Sequence, residues 1–205
     1  MRWMLAVLFV LAVSVRAEAE MYKGNETPDY VVESAEGAVE VRRYEPHIAA
    51  EVTVSGDRDA AINAGFRVLA GYIFGGNEAR AKVAMTTPVT QVPSQKIAMT
   101  TPVTQTGSDQ QWTVQFMMPT TYTMDTLPKP KDARIRFVTT KPKRMIVLRF
   151  SGLSTTGALA GRADELRAWA KANGRTIAGQ PQYMFYDAPF TLPWNRRNEV
   201  AFGLE

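Results

Sequence analysis

Hydrophobic periodicity in this 205-residue sequence runs through the same series of elements twice. In the first pass, Tyr30 to Ser34 and Val39 to Tyr44 are short runs parted by Ala35-Glu36-Gly37, the pattern of a hairpin with Val39 and Val41 on one face and Glu40 and Arg42 on the other. Pro46 breaks it. Ile48 to Ser55 then alternates, with Ala50, Val52 and Val54 facing inward. Asp57 is a good N-cap for a helix in which Ile62, Phe66, Leu69 and Ile73 recur at helical spacing, and Gly75-Gly76 stops it. Trp112, Val114, Phe116 and Met118 alternate as a later strand, closed by Pro119 and followed by a long loop over 120–132. The second pass has Ile135 and Phe137, then Met145 to Phe150. A helix capped by Thr155 or Thr156 follows, carrying Leu159, Ala163, Leu166 and Trp169 and ended by Asn173-Gly174. Strands over Tyr183 to Tyr186 and Val200 to Leu204 close the chain. Each half reads strand, strand, helix, strand, strand. One half alone would leave a helix and a sheet face uncovered, so the expectation is one pseudo-twofold α+β domain: an antiparallel curled sheet or barrel with two helices packed on it.

A decapeptide is also duplicated. Lys82-Val83-Ala84-Met85-Thr86-Thr87-Pro88-Val89-Thr90-Gln91 recurs, with Val changed to Ile, as Lys96-Ile97-Ala98-Met99-Thr100-Thr101-Pro102-Val103-Thr104-Gln105. Two copies are too few for a solenoid. Each is rich in β-branched residues and carries one proline, which a central strand does not accommodate, so both are expected on edge or bulged strands. The four residues between them suggest a hairpin.

The first residues stand apart from the domain. Arg2 is a short basic start, Met4 to Val15 is apolar, and Ala17-Glu18-Ala19 has the small-residue pattern of a cleavage site, so residues 1–19 are expected to be a secretory signal peptide. The apolar run is shorter than the roughly 20 residues of a spanning helix. The expected organisation is then a polar tether over 20–29 and one domain over 30–205, periplasmic or secreted, without stable membrane insertion. Loss of Arg2, Arg16 and Glu18 leaves 22 basic against 19 acidic residues, so the formal charge falls from +4 to +3. That mild excess suits anionic small ligands and is far from the basic stripe of a nucleic-acid binder. The chain has no cysteine, which excludes disulfides, thiolate metal sites and Cys nucleophiles.

The catalytic inventory is poor. With one His and no G-x-S-x-G, H-E-x-x-H or glycine-rich phosphate loop, nucleophilic, metalloprotease and nucleotide-binding constellations lack parts. The expectation is a noncatalytic protein. Its rival is a hydrolase using a carboxylate such as Glu51 or Glu199. His47, after Pro46, is a candidate axial haem ligand against a bland alternative as a turn residue. Met85 and Met99 are the other soft ligand candidates, against packing. Phe66, Leu69, Ala70 and Ile73 form a helix stripe. Gly65 and Gly71 in the same helix cost roughly 1 kcal/mol each relative to alanine, which makes sense where another group approaches the helix backbone closely.

Several of these stretches carry a resemblance. Val39-Glu40-Val41-Arg42-Arg43-Tyr44-Glu45-Pro46, Gly65-Phe66 through Tyr72-Ile73-Phe74-Gly75-Gly76-Asn77, the decapeptide, and Tyr186-Asp187-Ala188-Pro189 with Arg197-Asn198-Glu199-Val200 together resemble the SOUL haem-binding family from about residue 28 to the C-terminus. The resemblance implies a distorted antiparallel β-barrel with two helices, built from two repeats, and non-covalent binding of haem or a related tetrapyrrole. Where some animal relatives carry a His proposed as axial ligand, this chain has Arg43, whose guanidinium does not ligate iron. Other relatives hold haem in an apolar cleft beside the first helix. By that analogy the binding residues here are Phe66, Arg67, Leu69, Ala70 and Ile73, with Met85 as a wall and Tyr183 and Phe185 from a closing strand. Arg67 is the propionate partner and His47 the substitute metal ligand. A receptor for other amphipathic molecules is the competing binding function, and a tetrapyrrole-modifying enzyme using Glu51 or Glu199 is the competing enzymatic one. The oligomeric state is not legible.

Overall fold

The structure is a computed structural model that describes residues 21–79, 94–108 and 110–205. The first pass of the pattern gives β1 (Tyr30–Glu36), β2 (Val39–Tyr44), β3 (Ile48–Ser55) and α1 (Arg58–Ile73), then β4 (Asn77–Glu78), β5 (Val103–Ser108) and β6 (Gln111–Met117). The second gives β7 (Lys129–Pro130), β8 (Arg136–Thr139), β9 (Lys143–Phe150), α2 (Thr156–Ala172), β10 (Ile177–Phe185) and β11 (Asn198–Leu204). Both helices begin where side-chain oxygens satisfy open backbone N–H groups: Asp57 accepts from Ala60 N at 3.0 Å and Thr155 from Ala158 N at 3.3 Å. After α1, Gly75 takes a φ of 114°, a conformation most side chains resist.

Nine strands form one antiparallel sheet in the order β1-β2-β9-β11-β10-β5-β6-β3-β8, and β4 pairs with β7 apart from it. Apart from β1 the order is a palindrome about the β10–β5 seam. β9-β11-β10 on one side answers β3-β6-β5 on the other. The outer strands are exchanged: β2 precedes β3 but pairs with β9, while β8 precedes β9 but pairs with β3. The two-repeat α+β architecture is as the pattern predicts. Closure into a barrel is not made, since among the described residues the ladder ends at β1 and β8.

Strand alternation separates two faces. On one, α1 packs over β3 and β6 around Val52, Leu69, Ile73, Val114 and Phe116. On the same face α2 packs over β9, β10 and β11 around Ile146, Leu148, Leu166, Val200 and Phe202. Leu127, fully buried, anchors the 120–132 loop to the first of these cores. Gly65 explains itself here: a Cβ at that position would stand 2.6 Å from Val114 Cγ2, so the missing side chain lets α1 lie close to β6. Gly71 has open space at the same point, and nothing approaches it there.

The second decapeptide copy departs from expectation. Thr104 and Gln105 lie in β5, which β6 and β10 flank on both sides, so this strand is central rather than an edge. Pro102 stands one residue before the strand and withholds no ladder hydrogen bond, which removes the reason for an edge placement. Its first half, through Met99, is not strand, so the paired hairpin is not formed on this side; the first copy, with Met85, lies outside the described residues.

Residues 21–29 do not hang free of the domain. Tyr22 meets Tyr186 edge-on with ring centres 5.4 Å apart and donates to Asp187, and the Glu26 carbonyl accepts from Thr101 N at 2.9 Å.

Candidate functional site

α1 packs over β3 and β6 and α2 over β9, β11 and β10, so β5 lies under neither helix and the β5–β10 seam runs along the line between them, the floor of a candidate groove. Alternation directs Val103 and Gln105 of β5 and Tyr183 and Phe185 of β10 into it, on the helix-bearing face. Along α1 the four-residue spacing places Arg58, Ile62 and Phe66 on the flank of the helix beside β5. Phe66 is half-buried and meets Phe116 edge-on at 5.4 Å. Val103, Trp112 and Phe185 are also partly exposed, so the groove presents apolar surface to a ligand.

Arg58 closes one end of the groove. It is 9% exposed, and its guanidinium carbon stands 5.9, 5.7 and 5.8 Å from the ring centres of Trp112, Tyr183 and Phe185. One terminal nitrogen donates to Gln105 Oε1 at 2.7 Å; the other reaches Asp59 Oδ1 at 3.1 Å and the Ser154 carbonyl at 3.4 Å. The carboxylate it touches, on Asp59, is 70% exposed, and the buried Arg58 Nε has no hydrogen-bond partner. Burial therefore holds Arg58 below the ordinary guanidinium range, with Asp59 compensating only in part. A buried cation so weakly countered suits an anionic group of a ligand.

The residues expected at a site divide. Phe66, Ala70, Tyr183 and Phe185 lie on the helix-bearing face, and Phe66, Tyr183 and Phe185 meet around the groove. Leu69 and Ile73 lie beneath α1, at 0% and 2% exposure, and serve the core. Arg67 is exposed and turns its Nε back to the Asn63 carbonyl at 3.2 Å, so the buried cation in the groove is Arg58 instead. The spacing of four from Phe66 through Ile62 was the signal for Arg58 in the sequence. His47 is on the opposite face. It lines a recess with Ala49, Met117 and Met145, where its Nδ1 lies 3.4 Å from the Glu45 carbonyl and 3.2 Å from Thr140 Oγ1. The sheet separates it from Phe66 and Tyr183. Met85 lies outside the described residues. Arg43 is at the surface, 2.8 Å from Glu45 and 3.7 Å from Glu33.

The distant motifs converge elsewhere, on the helix-free face. Glu199 is fully buried and accepts from Arg42 at 2.8 and 3.1 Å, from Tyr186 at 2.8 Å and from Arg197 Nε at 2.9 Å. Arg42 also donates to Tyr44 at 2.9 Å and stacks on Tyr30 at 4.5 Å. Burial raises the Glu199 pKa, but Arg42 and Arg197 outweigh it and hold the carboxyl below its usual range. Arg42, expected to face outward, is 1% exposed because the Tyr30 ring stacks on it and Tyr22 of the N-terminal segment packs on the same face. With both oxygens committed, Glu199 acts as a clasp between the two ends of the chain.

Comparison with known proteins agrees with this assembly of motifs. The chain is 29% identical to heme-binding protein 2 of Homo sapiens over 167 residues, 80% of this chain and 77% of that protein. The corresponding Mus musculus protein is 28% identical over 171 residues, with the same shares covered. Among solved structures, the EcmrR C-terminal domain superposes with a TM-score of 0.56 at 12% identity, covering 82% of this chain and 96% of that one. A hydrolase from Listeria innocua gives 0.53 at 11% identity, covering 82% and 91%. At such identities these two share the fold alone. The family model for the SOUL heme-binding protein matches residues 25–203, and the chain belongs to that family.

Proposed function

We propose that this protein binds haem or a related tetrapyrrole non-covalently in the groove over the β5–β10 seam, as an exported carrier or sequestering protein without catalysis of its own. The observation that carries the reading is Arg58. A tetrapyrrole is a flat apolar ring with carboxylate arms, and the groove offers partly exposed Phe66, Trp112 and Phe185 beside a buried guanidinium with an unpartnered N–H. Those residues fit the group. Phe66, Val103, Trp112 and Phe185 would hold the ring and Arg58 a carboxylate. Iron ligation from His47 is not part of this arrangement, because its imidazole is on the other face. Family membership supports the ligand class. Export rests on the leader-like residues 1–19. The noncatalytic reading is supported by Glu199, committed to three partners, and by Glu51, held by Gln115 at 2.8 Å and Arg136 at 3.2 Å.

The test is a haemin titration of the protein lacking residues 1–19, followed by absorbance. A saturable Soret shift at micromolar protein, unchanged in His47→Ala, is expected. Absence of any shift defeats the reading, and a changed spectrum in His47→Ala moves the site to the other face.

A further inference from the structure

The helix-free face contains a recess that the groove does not use. Lys143, His47, Thr140 and Gln182 meet Met117 and Met145 around a cavity of about 30 Å³, room for two or so water molecules. His47 and Met117 also wall a second cavity of about 210 Å³, where Ile48, Met118, Pro119 and Tyr122 supply a largely apolar lining. The two together form a narrow polar corner beside a wider apolar chamber.

The charge in the corner is uncompensated. The partly buried Lys143 ammonium donates to the neutral amide oxygen of Gln182 at 3.0 Å, and no carboxylate lines the smaller cavity among the described residues. Burial alone pulls the Lys143 pKa down, with no anion to restore it. Asp29 stands at the wall of the larger chamber, on the far side of His47. Contrast Arg42 on the same face, which meets Glu199 directly. Ammonium groups taken out of water are ordinarily paired, so a cation facing a small cavity marks a place for an anion supplied from outside.

We propose that this recess binds a monocarboxylic acid with a short apolar chain, its carboxylate against Lys143 Nζ beside His47 and its chain along Met117 into the chamber under Tyr122. The Lys143 corner lies across the sheet from the tetrapyrrole groove, while the chamber sits at the strand ends where Ile48, Met118 and Tyr122 join the α1 core. Neither cavity is lined by Arg58, Phe66, Val103, Trp112, Tyr183 or Phe185, so the site is distinct from the groove.

Octanoate is the probe, with 1-octanol as the uncharged control, in calorimetric titrations of the protein free and haemin-treated. Saturable octanoate binding in both samples is expected, with octanol at least tenfold weaker and Lys143→Met reducing octanoate affinity at least tenfold. Equal binding of octanol, an unchanged Lys143→Met variant, no octanoate binding at millimolar concentration, or displacement by haemin would each overturn the proposal. Should Lys143→Met fail to fold, methyl resonances of the native protein decide it. Octanoate should move Met117 and Met145 and leave the exposed Met21 and Met124 in place; a titration that leaves Met117 and Met145 still defeats the site. A failure of haemin to bind leaves these outcomes untouched.

Discussion

Arg42 and Glu199, 157 residues apart in sequence, meet as a two-point ion pair with nitrogen–oxygen distances of 2.8 and 3.1 Å, both side chains almost wholly buried. The pair joins β2 to β11 across β9, and with Arg197 and Tyr186 it brings together the motifs that mark the two ends of the domain.

Removing the carboxylate charge leaves buried Arg197 without its carboxylate and Arg42 with only the partly exposed Glu40, 2.6 Å from its Nε. Glu199→Gln is expected to lower stability by about 3–5 kcal/mol, the usual consequence of breaking a buried pair from one side. Denaturant unfolding measures it, and a loss below about 1 kcal/mol would show the clasp to be dispensable.

The glycines of α1 should separate. At Gly65 a methyl would meet Val114 at 2.6 Å, so Gly65→Ala is expected to destabilise by about 1–3 kcal/mol through overpacking. At Gly71 the same change meets open space and is expected to stabilise by about 0.4–1 kcal/mol. Thermal melts of the two variants read opposite signs.

Burial, then the nearby Lys143 charge, depresses the pKa of His47 below its ordinary 6.5, although the Glu45 carbonyl and Asp29 pull the other way. The unfolded chain therefore binds a proton at a pH where the folded chain does not. The associated stability is complete above about pH 6.5 and is lost as the pH falls from there toward the folded value. The melting temperature should drop over that window, and His47→Gln should flatten this part of the profile.

Arg58 is the groove residue whose removal should be felt by an anionic ligand. Arg58→Met is expected to weaken haemin binding roughly tenfold to a hundredfold, the range of a charged hydrogen bond worth about 1.5–3 kcal/mol. Arg67→Met, on the exposed side of α1, should leave affinity unchanged. Fluorescence quenching titrations compare the two.

Much of the architecture was legible because it depends on local periodicity. Asp57 and Thr155 cap their helices as their residue types predict, and both halves follow the expected series. The misplaced residues share one cause: the sequence shows which side chains alternate, not what covers each face. Arg42 alternates away from Val41 and would point to water if the Tyr30 and Tyr22 side chains did not pack on that face. Pro102 suggested an edge because its exact offset from the ladder, one residue, decides whether a donor is missing. The face of His47 was available in the pattern, since it keeps step with Ala49 rather than with Ala50 and Val52. Arg58 carried only its spacing of four from Ile62 and Phe66 as a signal, and became a candidate site residue only when β5 and β10 met beside it.

The exchange of β2 and β8 has a consequence for how the chain can be divided. Each half grips a strand that belongs to the other, so neither can be cut out as an autonomous fragment. A protease nick within the exposed part of the 120–132 loop would yield two pieces that stay associated, like interlocked hands. Fragments expressed separately should regain the sheet only when mixed.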